Sequence, residues 1–169
     1  LLDQGLGRPT MTHLNQGDPA PEFTLPRDDG SVFTLSAHRG KRVVLFFYPE
    51  DDSGGCTDEN VEFSNLLDEY EAAGAVLQGI SPDDIAKHQK FRAKYDLRIP
   101  LVADPERQAI EAFGLWQLKK LYGREFMGLI RTSLIIGADG KIERIIRATR
   151  IKGHAAKVLN ALRENTASA

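Results

Sequence analysis

The length, composition and charge of the chain describe one globular domain and exclude several classes of protein. Its 169 residues are the length of an ordinary domain, and 41% hydrophobic with 27% charged residues is the balance of a folded, non-membrane protein. A net charge of -2 provides no basic field for nucleic acid, and no apolar run approaches the roughly 20 residues that cross a bilayer. We therefore expect neither a nucleic-acid partner nor a membrane.

The start of the chain and its cysteine content bear on processing and location. We expect residues 1–12 to be a vector-derived remnant or a disordered extension, and residues 13–169 to form a single domain. The start lacks the basic and apolar stretches of a signal peptide, whereas a processed transit peptide stays open. The single cysteine, Cys56, can form no internal disulfide, which favours a reducing cytoplasm.

The first predicted elements are a hairpin and a buried strand. Two alternating segments, 23–25 and 32–35, flank a turn that contains Asp29-Gly30, which is typical of an N-terminal β-hairpin. The stretch 43–48 is apolar at every position, as in a strand covered on both faces of a sheet, and Pro49 ends it.

The rest of the chain predicts alternating helices and strands. In order, we expect a helix from about Cys56 to Tyr70 that stops at Gly74, a strand at 76–80, a helix at 83–95, a strand at 100–103, a helix from Asp104-Pro105 to Gly114, a hairpin of strands 131–136 and 141–146, and a helix at 154–163. This order indicates an α/β fold with a central mixed β-sheet flanked by helices on both faces.

Cys56 lies where the buried strand is followed, after a short loop, by a helix. Ligands of open α/β sheets collect at the carboxyl ends of strands, and free amide N–H groups at a helix start stabilise anions. The position predicts a thiol that ionises readily, whereas the alternative is a small buried hydrophobic residue. Asp58 and Glu59 oppose ionisation, because neighbouring carboxylates disfavour a thiolate unless a cation offsets them.

Three residues around the thiol form a motif. Pro49, Ser53 and Cys56 follow the pattern Pro-x-x-x-Ser-x-x-Cys, which resembles the active-site signature of the peroxiredoxins. Further segments resemble the Q-type branch of that family, the bacterioferritin comigratory proteins, and the resemblance runs from about Gly17 to Leu162. The segments that carry it are Tyr48–Asp52, Cys56–Glu59, Gly79–Asp83, Pro100–Pro105, Phe113–Trp116 and Gly128–Ser133.

The resemblance implies a thioredoxin-like fold and the reduction of hydrogen peroxide or organic hydroperoxides without a metal or organic cofactor. It makes Cys56 the attacking thiolate, Ser53 a hydroxyl that bonds thiolate and substrate, and Pro49 a shield over the sulfur. It also places Arg131 at the family's second-strand arginine, where a guanidinium would stabilise the thiolate and offset the neighbouring carboxylates. Without the resemblance, Arg131 would be expected to be a solvated surface charge.

The chain departs from the Q-type pattern at two positions. Many members carry a resolving cysteine five residues after the first, and here that residue is Val61; Gly54 replaces a frequent proline. A sulfenic acid at Cys56 must therefore be reduced by an external thiol, for which thioredoxin, glutaredoxin and glutathione all qualify. Val61 is either natural or an engineered replacement, and both explanations stay open. The branch resemblance favours a monomer or weak dimer.

Two other functions compete with a peroxidase. A thioredoxin-type disulfide oxidoreductase shares the expected fold but needs Cys-x-x-Cys, and Gly54-Gly55-Cys56 offers no second thiol. A non-catalytic binding or chaperone-like module predicts a thiol of ordinary reactivity. The two alternatives and the peroxidase are separated by the reactivity of Cys56 toward peroxide.

Remaining polar and aromatic residues receive structural expectations. No histidine stands at metal-ligand spacing from another ligand, so solvated or capping roles are expected for all four: His13, His38, His88 and His154. Trp116, Phe126 and Met127 form either an apolar collar near Cys56, as the resemblance suggests, or ordinary core or loop packing.

Overall fold

The computed structural model describes residues 14–167, with side chains described as far as residue 164. The extension expected at residues 1–12 lies outside the described residues, as does His13. The described strands are β1 (Thr24–Pro26), β2 (Val32–Thr34), β3 (Arg42–Phe47), β4 (Ala75–Ser81), β5 (Leu101–Ala103), β6 (Trp116–Leu121), β7 (Arg124–Leu129), β8 (Thr132–Ile136) and β9 (Ile142–Arg147).

Five strands form the central sheet, in the order β5-β4-β3-β8-β9. The strand β3 lies in the middle, parallel to β4 and antiparallel to β8. The outer pairs are parallel between β4 and β5 and antiparallel between β8 and β9. Residues 43–48 are all buried, which is why this apolar stretch occupies the centre. The predicted mixed sheet is confirmed.

The helices cover both faces of the sheet. Alternate side chains of β3 divide the core: Val44 and Phe46 pack with residues of α1, α2 and α5, whereas Val43, Leu45 and Phe47 pack with residues of α4. Among the described residues, no helix combines the length and the apolar character needed to cross a membrane. The helices are α1 (Gly54–Asn65), α2 (Leu67–Ala72), α3 (Ile85–Tyr95), α4 (Gln108–Ala112) and α5 (His154–Ala167), with a 3-10 turn at Leu35–His38.

Both predicted hairpins are present. In the N-terminal hairpin β1 pairs antiparallel with β2, Leu25 opposite Phe33, and Gly30 in the turn has a φ of +88°. This hairpin covers the second face of the sheet through Phe23 and Phe33. In the second hairpin β8 pairs with β9, with a register shift at Ile135/Ile136.

Two helices differ from the prediction. The helix expected to run through Tyr70 breaks at Leu66, whose φ of -97° and ψ of 5° separate α1 from α2. Both helices pack on the same apolar cluster, so the spacing of apolar residues does not reveal the break. The helix expected from Pro105 begins only at Gln108, although the Asp104 carboxylate does cap it by accepting the Gln108 N–H at 2.7 Å.

An additional hairpin, formed by β6 and β7, was not predicted. Its strands pair antiparallel around a turn at Tyr122 and Gly123, both with positive φ. Most of its side chains are exposed, so burial imposes no alternating pattern on the sequence. Phe126 and Met127 are 44% and 46% exposed, so they are not core residues. The Trp116 ring packs under the Arg107 guanidinium, whose central carbon lies 4.4 Å from the ring centroid.

Candidate active site

Cys56 is the third residue of α1, directly after the loop that leaves the central strand. Ser53 is the N-cap residue before the helix, with an extended backbone, and its carbonyl accepts the first helical hydrogen bond from the Thr57 N–H at 2.8 Å. The N–H groups of Gly54, Gly55 and Cys56 therefore precede any intrahelical acceptor. These free donors and the helix dipole place partial positive charge beside the sulfur, as the sequence predicted.

The Cys56 side chain is closely packed. It is 1% exposed and belongs to the apolar cluster that includes Phe63. Its carbonyl accepts a hydrogen bond from the Asn60 amide at 2.9 Å. The alternative of a buried hydrophobic cysteine describes this packing correctly, but it does not account for the charged groups on the remaining side of the sulfur.

Arg131 is brought to Cys56 by the register of the sheet. Because β8 runs antiparallel to β3, Thr132 pairs with Phe47, the last residue of β3, and Arg131 arrives where the loop toward Cys56 begins. Burial disfavours its charge, but the nearby Glu59 carboxylate and Cys56 side chain outweigh that effect and hold the pKa of Arg131 above its ordinary value. The guanidinium is therefore a fixed cation at the thiol.

Glu59 shares that cation. Its side chain is fully buried one helical turn after Cys56, and Oε1 accepts from Arg131 Nη1 at 2.6 Å. Burial raises the pKa of Glu59 to about 7, although the charge and hydrogen bond of Arg131 act against the shift. Its Oε2 atom is buried and has no hydrogen-bond partner among the residues that the structure describes. Of the two carboxylates expected to oppose ionisation, Asp58 is exposed and Glu59 is paired.

The other two expected site residues lie at the start of the loop and of the helix. Pro49 is half-buried and directly follows Tyr48, whose N–H still donates to the Ile80 carbonyl at 3.1 Å. Ser53 is half-buried, and its hydroxyl donates to the Glu50 carbonyl at 3.1 Å. The structure thus brings the Arg131 guanidinium to the first turn of α1, where Nη2 would lie 3.6 Å from a Cβ atom built on Gly55, whereas the Ser53 hydroxyl faces the loop backbone.

The loop between β3 and α1 is held to α3 by buried hydrogen bonds. The Asp51 carboxylate accepts from the Tyr48 hydroxyl at 2.7 Å and lies 2.6 Å from His88 Nδ1, while its N–H donates to Asp83 at 2.7 Å. His88 Nε2 lies 2.9 Å from the Val102 carbonyl. We call Tyr48, Asp51, Asp83 and His88 the loop anchor.

The loop anchor contains three residues of types that bind metals. Ligand atoms of Asp51, Asp83 and His88 lie within 4.8 Å of one another. They are already engaged in the hydrogen bonds above, and the Lys87 ammonium lies 3.0 Å from Asp83 Oδ1. We therefore interpret the cluster as a set of hydrogen bonds that fixes the loop between β3 and α1 to α3.

Two histidine predictions are wrong. His88 is fully buried in the loop anchor, and His154 is 3% exposed with Nε2 2.8 Å from the Ser133 hydroxyl. Both rings are buried by partners distant in sequence, which local spacing does not indicate. The position of Glu59 beside the thiol could have been predicted from the sequence, because the Cys-x-x-Glu spacing puts Cys56 and Glu59 on one face of a helix.

Comparisons with known proteins identify the family of the chain. The AhpC/TSA family model matches residues 16–145. A putative peroxiredoxin bcp of Helicobacter pylori is 40% identical, covering 90% of this chain and 100% of the relative. Peroxiredoxin Bcp of Bacillus subtilis is 38% identical, covering 88% of this chain and 94% of the relative.

Solved structures give the same result. Peroxiredoxin Q of Xanthomonas campestris superposes with a TM-score of 0.83 at 34% identity, covering 93% of this chain and 99% of that one. Peroxidoxin BcpB of Mycobacterium tuberculosis has a TM-score of 0.78 at 33% identity, covering 90% and 98%. The expected thioredoxin-like fold is confirmed. The chain belongs to the AhpC/TSA family and is a peroxiredoxin of the Bcp/PrxQ branch, an enzyme of the thiol-dependent peroxidase class.

Proposed function

We propose that Cys56 reduces hydrogen peroxide and organic hydroperoxides by becoming a sulfenic acid, which an external thiol then reduces. The observation that carries the proposal is the position of the Arg131 guanidinium at the start of α1: Nη1 lies 2.6 Å from Glu59, and Nη2 would lie 3.6 Å from a Cβ atom built on Gly55, the residue before Cys56. A cation and free helix N–H groups favour both a thiolate and the negative charge that develops on a leaving oxygen.

The chemical step is a displacement at oxygen. The Cys56 thiolate attacks the terminal oxygen of the peroxide, a sulfur–oxygen bond forms, and the oxygen–oxygen bond breaks. The electron pair leaves on the second oxygen, which takes a proton and departs as water or an alcohol. Arg131 and the Cys56 N–H stabilise that departing charge, so the transition state is bound more tightly than the peroxide.

Ser53 and Pro49 have supporting roles in the proposal. The Ser53 hydroxyl turns from the Glu50 carbonyl toward the bound peroxide, exchanging one hydrogen bond for another. Pro49 limits the access of water to the sulfur. The peroxide reaches the sulfur when the first turn of α1 opens, and Gly54 and Gly55 keep the cost of opening low because glycine is a poor helix former.

Recycling requires a second molecule. Cys56 is the only cysteine of the chain, so no internal disulfide can form and the sulfenic acid needs a thiol from outside. Thioredoxin, glutaredoxin and glutathione are the candidate reductants, in keeping with a reducing compartment such as the cytoplasm.

Mixing the reduced protein with one equivalent of hydrogen peroxide tests the proposal. We expect the wild-type protein to consume the peroxide and to form an adduct with a sulfenic-acid trap, detected by intact mass, whereas Cys56→Ser forms none. The expected rate exceeds that of free cysteine by at least about 100-fold, the factor that one preorganised donor can supply. A thiol that reacts no faster than free cysteine would favour a non-catalytic binding module.

A further inference from the structure

A cavity with basic walls lies between the end of β9 and the start of α5. It measures about 480 Å³, within the range of sites that hold small molecules. Four of its lining residues are cationic and exposed, namely Arg147, Arg150, Lys152 and Lys157. We call it the basic cavity.

The charge of the basic cavity is largely uncompensated. Within residues 14–164, no carboxylate forms an ion pair with any of its four cations. One carboxylate, Glu62, accepts the N–H of the lining residue Gly153 at 3.0 Å. Burial and the positive charges of Lys157 and Arg131 together lower the pKa of His154 to about 4, so this ring is neutral at neutral pH. The lining of the basic cavity thus carries four cations and no acidic side chain.

The basic cavity adjoins the active site through one segment of backbone. Ala148 donates its N–H to the Arg131 carbonyl at 3.0 Å, and Arg147 pairs with Thr132. Further along the segment, Ile151 lies against Gly55: a Cβ atom built on Gly55 would be 2.5 Å from Ile151 Cδ1. The cations at 150 and 152 therefore flank the residue that touches the first turn of α1.

We propose that the basic cavity binds the carboxylates of a small anionic thiol of the glutathione type and directs its sulfur to oxidised Cys56. The inference rests on the proposed function and names the class of its reductant. Glutathione carries two carboxylates and one ammonium, so its net negative charge complements the four cations. A concave site of this size suits a small molecule, whereas docking of a protein thiol needs a broad surface.

The reaction proceeds by two exchanges at sulfur. The thiolate of the small thiol attacks the sulfur of the Cys56 sulfenic acid, the sulfur–oxygen bond breaks, and the hydroxide takes a proton and leaves as water. A second small thiolate attacks the outer sulfur of the mixed disulfide. The Cys56 thiolate leaves with the bonding electron pair, and the small disulfide is released.

Anchoring is useful here because the sulfur is covered. Cys56 is 1% exposed, so a thiol free in solution meets an open site only rarely. A thiol already held by its carboxylates beside Gly55 is present whenever the first turn opens, which raises its effective concentration.

A double variant with a charge-matched control tests the proposal. The variant Arg150→Ala/Lys152→Ala removes two cations of the basic cavity. The control Lys41→Ala/Lys90→Ala removes two exposed cations elsewhere, one preceding β3 at the opposite end of the sheet and one on α3. Each protein is oxidised with one equivalent of peroxide, and sulfenic-acid formation is measured first. Reduction is then followed by intact mass with glutathione and with glutathione diethyl ester, in which both carboxylates are masked.

We expect wild type and control to react about tenfold faster with glutathione than with the ester, and the double variant to lose this preference, since two exposed ion pairs contribute about that factor. Equal rates with both thiols in the wild type, or an equal loss in the control, would overturn the proposal. Reduction by thioredoxin but not by glutathione would also overturn it and leave the proposed function intact. Absence of any sulfenic acid would overturn both.

Discussion

At the residue scale, Cys56 and Glu59 both lie next to the Arg131 guanidinium and share its positive charge. Arg131 Nη1 lies 2.6 Å from Glu59 Oε1, and Nη2 of the same side chain would lie 3.6 Å from a Cβ atom built on Gly55, the residue before Cys56. Burial raises the pKa of Glu59 to about 7, so its protonated and ionised forms are both populated at neutral pH. A protonated Glu59 competes less for the guanidinium, so burial of this carboxyl leaves more of the Arg131 charge to the thiolate.

Replacing Arg131 tests that dependence. We expect Arg131→Ala to slow the reaction of Cys56 with hydrogen peroxide about 100-fold or more, because a preorganised donor to the developing charge is lost. Arg131→Lys retains the charge but not the planar fork that contacts two partners, and we expect an intermediate rate. Stopped-flow fluorescence of Trp116, the only tryptophan, measures these rates at several peroxide concentrations.

A control separates this chemical role from a structural one. Arg131→Ala alone leaves the buried Glu59 carboxyl without its partner, which lowers stability by itself. The double variant Arg131→Ala/Glu59→Gln removes the ionisable group, and we expect it to regain stability in urea yet to remain slow with peroxide. A fast double variant would show that Arg131 acts only on the fold.

At the scale of elements, the loop between β3 and α1 owes its shape to α3. The loop anchor joins it to α3 through the buried pair of Asp51 and His88, and Asp52, with a φ of +61°, accepts from Lys94 and Tyr95 at the helix end. Helix α3 therefore positions Pro49 and Ser53, although none of its own side chains takes part in the proposed chemistry.

Removing the buried hydrogen bond between His88 and Asp51 should lower the free energy of unfolding more than removing the exposed ion pair between Lys94 and Asp52. His88→Leu leaves the buried Asp51 carboxylate without one partner, and we expect it to lower the free energy of unfolding by about 1–3 kcal/mol and to slow peroxide reduction. Lys94→Ala removes an exposed pair between the same two elements and should change the urea midpoint little. Equal effects of the two substitutions would contradict the anchor role.

At the scale of the whole molecule, prediction from sequence succeeded where a pattern had a local cause. The stretch 43–48 is apolar because both faces of the central strand are buried, and the Asp-Gly turns at 29–30 and 139–140 locate both predicted hairpins. The hairpin of β6 and β7 was missed because its exposed side chains carry no such pattern. The pairing of Asp51 with His88 was missed because only the tertiary fold brings the two together.

Folding stability should carry two opposing pH dependences. Because the pKa of Glu59 is raised to about 7, its contribution to the free energy of unfolding is complete below about pH 4.5 and is lost as the pH rises through 7. Because the pKa of His154 is lowered to about 4, its contribution is complete above about pH 6.5 and is lost as the pH falls through 4. Each amounts to about 3 kcal/mol.

Between pH 4.5 and 6.5 these two contributions largely cancel in the wild type, because one falls while the other rises. Glu59→Gln removes the falling contribution, so its free energy of unfolding should increase with pH relative to wild type, by up to about 1.4 kcal/mol per pH unit. His154→Gln should show the opposite slope. Urea unfolding of the three proteins at pH 4.5, 5.5 and 6.5 measures both differences, and parallel curves would mean that neither group titrates differently in the folded and unfolded chains.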